Sequence, residues 1–176
     1  MARLMELSAA EGLLPARHGR CTLSEVEVGR ITSNAPFKGQ MDAVETALGF
    51  TFPAPNRVTS HGDARLVWTG PGRVFLTGAD APDLGDDAAV TDQTDAWVTV
   101  QLNGADAVNV LARLVPVDLR PAHFKPGHTA RAMLAHMYVS VIHDGDDAFQ
   151  ILAMRSMAQT LVHDVTAAMK AVAARG

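Results

Sequence analysis

The sequence predicts a single α+β domain made of a duplicated unit, in which a strand and an amphipathic helix are followed by antiparallel strands. Segments with an apolar period of two alternate with segments of helical period. The same order of elements occurs twice, in halves of about residues 20–87 and 88–176. No stretch has the composition of a linker, and 176 residues suffice for one packed core. We therefore expect one domain over residues 1–176.

Composition excludes several classes of protein. Hydrophobic residues make up 48% and charged residues 19% of the chain, which excludes intrinsic disorder. A net charge of −4 without a basic stripe argues against binding of duplex nucleic acid. Met1–Pro15 lacks the pattern of a signal peptide, and Ala132–Ile142 is shorter than the ~20 residues of a membrane-spanning helix. We expect a soluble, cytoplasmic protein.

The first half begins with a strand and a helix. Ser24–Ile31 alternates valine with glutamate, which predicts a strand with one solvated face. Lys38–Leu48 has apolar residues at helical spacing, and Gly49 stands where a helix C-cap is expected. A helix is therefore predicted directly after the first strand.

A loop and a hairpin complete the first half. Phe52–Gly62 contains two prolines and predicts a loop. Ala64–Thr69 and Arg73–Thr77 are rich in β-forming residues and are joined by Gly70-Pro71-Gly72, which predicts a hairpin rather than a phosphate-binding loop. Gly78–Asp87 is acidic and rich in turn residues, so we expect a solvated connection there.

The second half repeats this pattern. Trp97–Asn103 alternates strictly and predicts a strand, and Ala105–Val115 has one apolar helical face that ends at Pro116. A long apolar stripe predicts a C-terminal helix over Ser156–Ala174. Three further strands are predicted between these helices, namely Thr129–Ala135, Met137–Ile142 and Ala148–Met154.

Residues able to bind metal are scattered along the chain. None of the seven histidines forms an i, i+4 pair, and His136 and His143, which would face each other across a strand pair, are interpreted as ordinary strand histidines. Asp144, Asp146 and Asp147 surround Gly145 but lack the spacing of a calcium loop, so a solvated hairpin turn is expected. The sequence thus predicts no metal-binding residue.

The single cysteine is the one candidate nucleophile. Cys21 follows His18 and Arg20, and nearby positive charge lowers the pKa of a thiol. A nucleophilic cysteine also needs a base placed in space, so a packed, inert thiol is the expectation and a catalytic thiol the alternative. Because neither a Rossmann glycine motif nor a nucleophile elbow occurs, we predict no catalytic and no cofactor-binding residue.

Several short motifs, taken together in their order, resemble the gamma subunit of heterotetrameric sarcosine oxidase. This family is itself similar in fold to the folate-binding domain of the glycine-cleavage aminomethyltransferases. The first half contributes Trp68–Leu76, with its Gly-Pro-Gly turn. The second half contributes Leu102–Leu111, Pro116–Leu119, Phe124–Gly127, the strand Thr129–Ala135, Phe149, Arg155, Ser156 and Ala158.

The resemblance implies a non-catalytic accessory subunit of an enzyme that oxidatively demethylates sarcosine to glycine. Its partners would be the alpha, beta and delta subunits. The resemblance places no cofactor on this chain: the flavins FAD and FMN belong to beta, NAD and tetrahydrofolate to alpha, and zinc to delta.

A stand-alone folate-binding protein or folate-dependent aminomethyl transferase is the alternative, because the same fold resemblance leads to it. Such a protein needs a concave pocket with an inward-facing carboxylate for the pterin ring. Asp92 and Asp95 are the nearest candidates, and each is also explained as a residue at the end of a strand.

Overall fold

The computed structural model describes residues 7–175, which form two antiparallel β-sheets and three helices. Helices α1, α2 and α3 span Met41–Leu48, Ala107–Leu111 and Ala158–Ala173, and 3₁₀ turns span Thr94–Ala96 and Arg155–Met157. The eleven strands are β1 Ala16–His18, β2 Cys21–Glu25, β3 Ile31–Pro36, β4 Val58–His61, β5 Ala64–Gly70, β6 Arg73–Thr77, β7 Ala88–Asp92, β8 Trp97–Asn103, β9 Thr129–Leu134, β10 Met137–Gly145 and β11 Ala148–Met154.

The two sheets share one strand order. The six-stranded sheet runs β1-β2-β8-β11-β10-β9 and the five-stranded sheet runs β4-β5-β6-β3-β7. In the six-stranded sheet, β9, β10 and β11 are followed by β8, which precedes α2, and then by β2 from the first half of the chain. In the five-stranded sheet, β4, β5 and β6 are followed by β3, which precedes α1, and then by β7 from the second half. The predicted α+β class with antiparallel sheets is confirmed. The duplication into halves 20–87 and 88–176 stays a prediction. The strand order shared by the two sheets is the order that such a duplication would produce.

The sheets stack face to face, and helices cover their outer faces. The largest apolar cluster fills the space between the six-stranded sheet and α2 and α3, and Phe149 and Leu161 are fully buried in it. A small cluster between the sheets contains Ile31, Phe75 and Leu152. Burial of a large apolar side chain contributes about 1.5–3 kcal/mol, so the sheet-helix layer provides most of the apolar stabilisation.

Polar contacts also join the two sheets. Arg65 on β5 forms an ion pair with Asp144 on β10 at 2.9 Å, and its guanidinium lies 3.4 Å from the amide oxygen of Gln150 on β11. Arg131 on β9 donates a hydrogen bond to the carbonyl oxygen of Thr69 on β5 at 3.1 Å. Because these contacts are partly shielded from solvent, they help to fix how one sheet lies on the other.

The strongest local patterns were predicted correctly. The strand Trp97–Asn103 has the predicted bounds, and the hairpin around Gly70-Pro71-Gly72 forms with a bulge near its turn. The C-terminal helix and the three strands before it are confirmed. Gly49 adopts the left-handed conformation that ends α1 and donates its N–H to the carbonyl oxygen of Glu45.

Other segments differ from the prediction. The alternating run Ser24–Ile31 is not one strand, because the chain leaves the six-stranded sheet after Glu25 and enters the other sheet at Ile31. The predicted loop Phe52–Gly62 contains β4, which pairs with β5, and α2 ends at Leu111 rather than Val115. The short edge strands β1 and β7 were not predicted, since their patterns extend over only a few residues.

Candidate functional site

A groove of about 680 Å³ lies between the β1–β2 turn, α2 and the end of α3. At its centre Arg20 binds the carboxylate of Asp106 through two hydrogen bonds of 2.8 and 2.6 Å. Asn109 lies 3.3 Å from the same carboxylate. The hydrogen bonds from Arg20 hold the pKa of Asp106 below its usual range. The pair joins residues 86 positions apart, so it connects the β1–β2 turn to the start of α2.

Two glycines allow the elements around this groove to approach closely. Gly19, in the β1–β2 turn, packs against Ala173 of α3, and a Cβ at Gly19 would lie 2.8 Å from the Cβ of Ala173. Gly104, which leads from β8 into α2, has φ +131 and lies against the backbone of Arg20 and Cys21. Because only glycine fits these contacts, the sequence itself positions Arg20 opposite Asp106.

Cys21 lies beside this groove but is a packed thiol. Only 4% of the residue is exposed, and burial raises the pKa of the thiol. The strand register places His18 opposite Cys21, yet no hydrogen bond joins their side chains. The guanidinium of Arg20 is bound to Asp106, and its charge lowers the pKa of the thiol less than burial raises it. The described structure therefore gives Cys21 a packed thiol with no hydrogen-bonded base, and its inertness stays a prediction.

The histidines expected to face each other do not do so. His136 lies in the β9–β10 turn and His143 near the far end of β10, so the two residues stand at opposite ends of one strand and do not face each other across a strand pair. His143 is 6% exposed, its Nδ1 lies 2.7 Å from the carbonyl oxygen of Phe124, and its ring stacks on Phe149 at 4.6 Å. This arrangement anchors the connection before β9 on the sheet.

The acidic residues near Gly145 form a hairpin turn, as predicted. Asp146 and Asp147 have positive φ values of 38 and 59 in the turn between β10 and β11. Asp144 does not simply face solvent, because it is the ion-pair partner of Arg65. Within residues 7–175, no group of three or more His, Cys, Asp or Glu side chains is arranged to hold a metal ion.

A second groove, of about 470 Å³, was not predicted from the sequence. It lies where the chain crosses between the sheets, and Glu25, Glu27, Trp97 and Thr99 line it. Thr99 is 4% exposed, and no described residue forms a hydrogen bond to its hydroxyl or to the indole N–H of Trp97. The groove combines carboxylates with an aromatic ring, but these residues belong to separate segments that no sequence motif connects.

Asp92 and Asp95, the carboxylates considered for a pterin ring, do not face inward. Both are exposed, and neither lines this groove or the larger one. Asp92 accepts hydrogen bonds from the backbone and hydroxyl of Thr94, and these bonds lower its pKa. Asp92 thus closes the end of an edge strand, which agrees with the explanation of this residue as a strand end rather than as a ligand of a pterin ring.

In the described range 7–175, none of the helices is both long and apolar enough to cross a membrane. The chain matches no family model and no curated protein. Both comparisons by sequence therefore leave the fold as the basis for any assignment.

The fold is of the aminomethyltransferase-like class. The glycine cleavage system aminomethyltransferase T from Bartonella henselae superposes with a TM-score of 0.56 and 16% identity over 84% of this chain, which corresponds to 46% of that longer chain. The match is closer and nearly complete with a chain of heterotetrameric sarcosine oxidase from Corynebacterium sp. U-96, solved in complex with pyrrole 2-carboxylate. The TM-score is 0.83, with 23% identity over 96% of both chains. The predicted fold relationship is confirmed.

Proposed function

We propose that this protein is the gamma-type accessory subunit of a heterotetrameric sarcosine oxidase and supplies no catalytic residue. The observation that carries the proposal is the match over 96% of both chains to a chain of such an oxidase. The short motifs from Trp68 to Ala158 that resemble the gamma family add support from the sequence.

The chemistry of the described residues agrees with an accessory role. The groups most able to react are already used by the fold. Asp106 is held by Arg20, the Cys21 thiol is buried, and the Nδ1 atom of His143 contacts a backbone carbonyl. A catalytic residue needs an accessible, suitably ionised group, and these three side chains instead stabilise their own surroundings.

The reaction chemistry would then reside on the partner chains. In this proposal FAD and FMN are bound by the beta subunit, NAD and tetrahydrofolate by alpha, and zinc by delta, and this chain contributes binding surface and structural support. The assembled enzyme would act on sarcosine in the cytoplasm.

Co-expression tests the proposal directly. The tagged chain is expressed with the alpha, beta and delta subunits of the same organism, and co-purification and sarcosine-dependent glycine formation are measured. We expect a four-chain complex, a lower yield of complex without this chain, and unchanged kcat per complex for Asp106→Asn. If the wild-type chain does not associate with the other subunits, the proposal is wrong. If Asp106→Asn abolishes turnover in intact complex, the non-catalytic role is wrong.

A folate-binding protein or folate-dependent aminomethyl transferase is the second candidate. The groove with Glu25, Glu27 and Trp97 favours it, because an aromatic face and a carboxylate are groups that bind a pterin ring. Calorimetric titration of the isolated chain with tetrahydrofolate tests this candidate, with Glu25→Gln as the matched variant. Saturable binding that Glu25→Gln weakens would support it, and the absence of binding heat would exclude it.

A further inference from the structure

One end of the six-stranded sheet extends beyond the sheet that covers it. Ser140 and Leu152 face the five-stranded sheet and are 1% and 2% exposed. Two residues further along the same strands, on the same face, Tyr138 is 70% and Met154 is 53% exposed. Because side chains on a strand alternate between faces, this abrupt change marks where the covering sheet ends.

The strand register joins these side chains into a row across four strands. Met133 pairs with Tyr138, and Met154 pairs with Trp97. The pairing of Val139 with Ala153 brings Tyr138 beside Met154. We call this set the overhanging row; it consists of Met133, Tyr138, Met154 and Trp97. Trp97 packs edge-on against Phe75 at 5.2 Å, so the row is anchored on the apolar layer between the sheets.

The size of the row matches the centre of an interface rather than a whole interface. An aromatic side chain buries 150–250 Å² when fully enclosed, so Tyr138 and Met154 together expose roughly 200–250 Å². A stable interface takes about 800 Å² from each partner. Aromatic and methionine side chains are enriched in the cores of interfaces, where a few such residues provide most of the binding energy.

The charges beside the row indicate the kind of partner. Arg131 is two residues from Met133, and Arg155 directly follows Met154. Among residues 7–175 neither forms an ion pair, since Arg155 donates to the carbonyl oxygen of Leu7 at 2.6 Å and Arg131 to that of Thr69. The acidic side chains near the row are Asp95, Glu25 and Glu27, which all lie at the Trp97 end, and the two glutamates line one groove with Trp97 and Arg155. A two-fold contact between copies would bring the arginines together, whereas a different chain with acidic residues would complement them.

We propose that the overhanging row is the docking surface for a partner subunit that presents an apolar centre with an acidic rim. This inference rests on the proposed role as an accessory subunit and adds which face of the chain meets its partner. The apolar side chains of the partner cover Tyr138 and Met154, and its carboxylates lie against Arg131 and Arg155.

Substitution at the centre of the row tests this surface. Tyr138→Glu is compared with Phe37→Glu, since Phe37 is another exposed aromatic residue, 51% exposed, at the end of β3 in the other sheet. Each variant is co-expressed with the alpha, beta and delta subunits. The variant chain is also purified alone, and its dissociation constant for the purified alpha–beta–delta complex is measured by surface plasmon resonance at two salt concentrations. Thermal melting of this free chain verifies that it is folded.

We expect Tyr138→Glu to weaken binding about 30-fold or more, as at interface hot spots, and Phe37→Glu to leave it within threefold. Arg155→Gln should slow association and reduce its dependence on salt. If wild type does not bind, the proposed function fails. If wild type and Tyr138→Glu bind alike, only this docking surface is wrong. Light scattering that shows a dimer of the free chain, lost in Tyr138→Glu, would assign the row to self-association and overturn the proposal.

Discussion

Replacement of Gly104 by alanine is the most informative perturbation of the fold. Gly104 links β8 to α2 with φ +131, a conformation that L side chains rarely adopt. A Cβ at this position would overlap the carbonyl oxygen of Arg20 and lie 3.0 Å from the Cα of Cys21. These neighbours are backbone atoms, so the contact cannot be relieved by rotation of a side chain.

The cost has two parts. Backbone strain contributes about 1–3 kcal/mol. Displacement of the β1–β2 turn adds about 2 kcal/mol, because it disturbs the pairing of His18 with Cys21 and the Arg20–Asp106 contact. The free energy of unfolding should therefore fall by about 4 kcal/mol. In a domain of this size that corresponds to a decrease in Tm of about 10 °C.

Gly72→Ala is the matched control. Gly72 has φ +62 in the β5–β6 turn, and a Cβ there would meet no atom within 4 Å. Only the cost of the left-handed conformation remains, about 1–2 kcal/mol. Urea unfolding followed by far-UV circular dichroism measures both variants, with the m-value verifying that the transition stays comparable. Equal losses for Gly104→Ala and Gly72→Ala would refute the close packing of the β8–α2 link on the β1–β2 turn.

Three further predictions concern charge, the thiol and the core. Asp106→Asn should lower Tm at pH 7. The difference in Tm from wild type should shrink as the pH falls below about 4. Because the pKa of Asp106 is lower in the folded than in the unfolded protein, its charge stabilises the fold fully above the pKa of the unfolded state, and this stabilisation is lost as the pH falls through the pKa of the folded state. Asp118→Asn, which removes a local contact with Arg120, should change Tm less. Cys21 should react with iodoacetamide at least tenfold more slowly in native than in unfolded protein, as mass spectrometry will measure. Phe149→Ala should cost about 3–5 kcal/mol in urea unfolding, since Phe149 is fully buried.

Each of these predictions has an outcome that would contradict it. A Tm difference for Asp106→Asn that stays constant down to pH 2 would mean that its charge does not stabilise the fold. Rapid native alkylation of Cys21, abolished in a His18→Ala variant, would restore a reactive thiol. A loss below about 1.5 kcal/mol for Phe149→Ala would mean that the core closes around the missing ring.

The local sequence pattern was sufficient to predict those helices and strands in which the apolar period repeats several times. Trp97–Asn103 alternates over seven residues, and the last helix repeats its apolar stripe over four turns, so neither depends on distant partners for its identity. Ser24–Ile31 shows where local pattern fails. This segment crosses between the sheets, yet its residues alternate in the same way as those of a single strand. Only the pairing of its first residues with β8 and of its last residue with β6 shows that it belongs to two strands.

The candidate sites depended still more on long-range structure. Arg20 and Asp106 are 86 positions apart, and Glu25 and Trp97 line one groove only because β2 lies beside β8. Conversely, Asp92 and Asp95 are close in sequence to a strand that lines a groove, yet their side chains are exposed. Spacing along a chain predicts shared faces within one element, but it carries no information about which elements meet.

The sequence by itself determined the α+β class, most helices and strands, and the resemblance to an oxidase subunit, because each depends on short periods or on ordered motifs. The tertiary structure decided which strand lies in which sheet, and therefore where the covering sheet stops. Tyr138 and Met154 alternate along their strands just as the buried Ser140 and Leu152 do. They are exposed because the five-stranded sheet ends before it reaches them, and the length of one sheet relative to another is fixed only when the two are packed together.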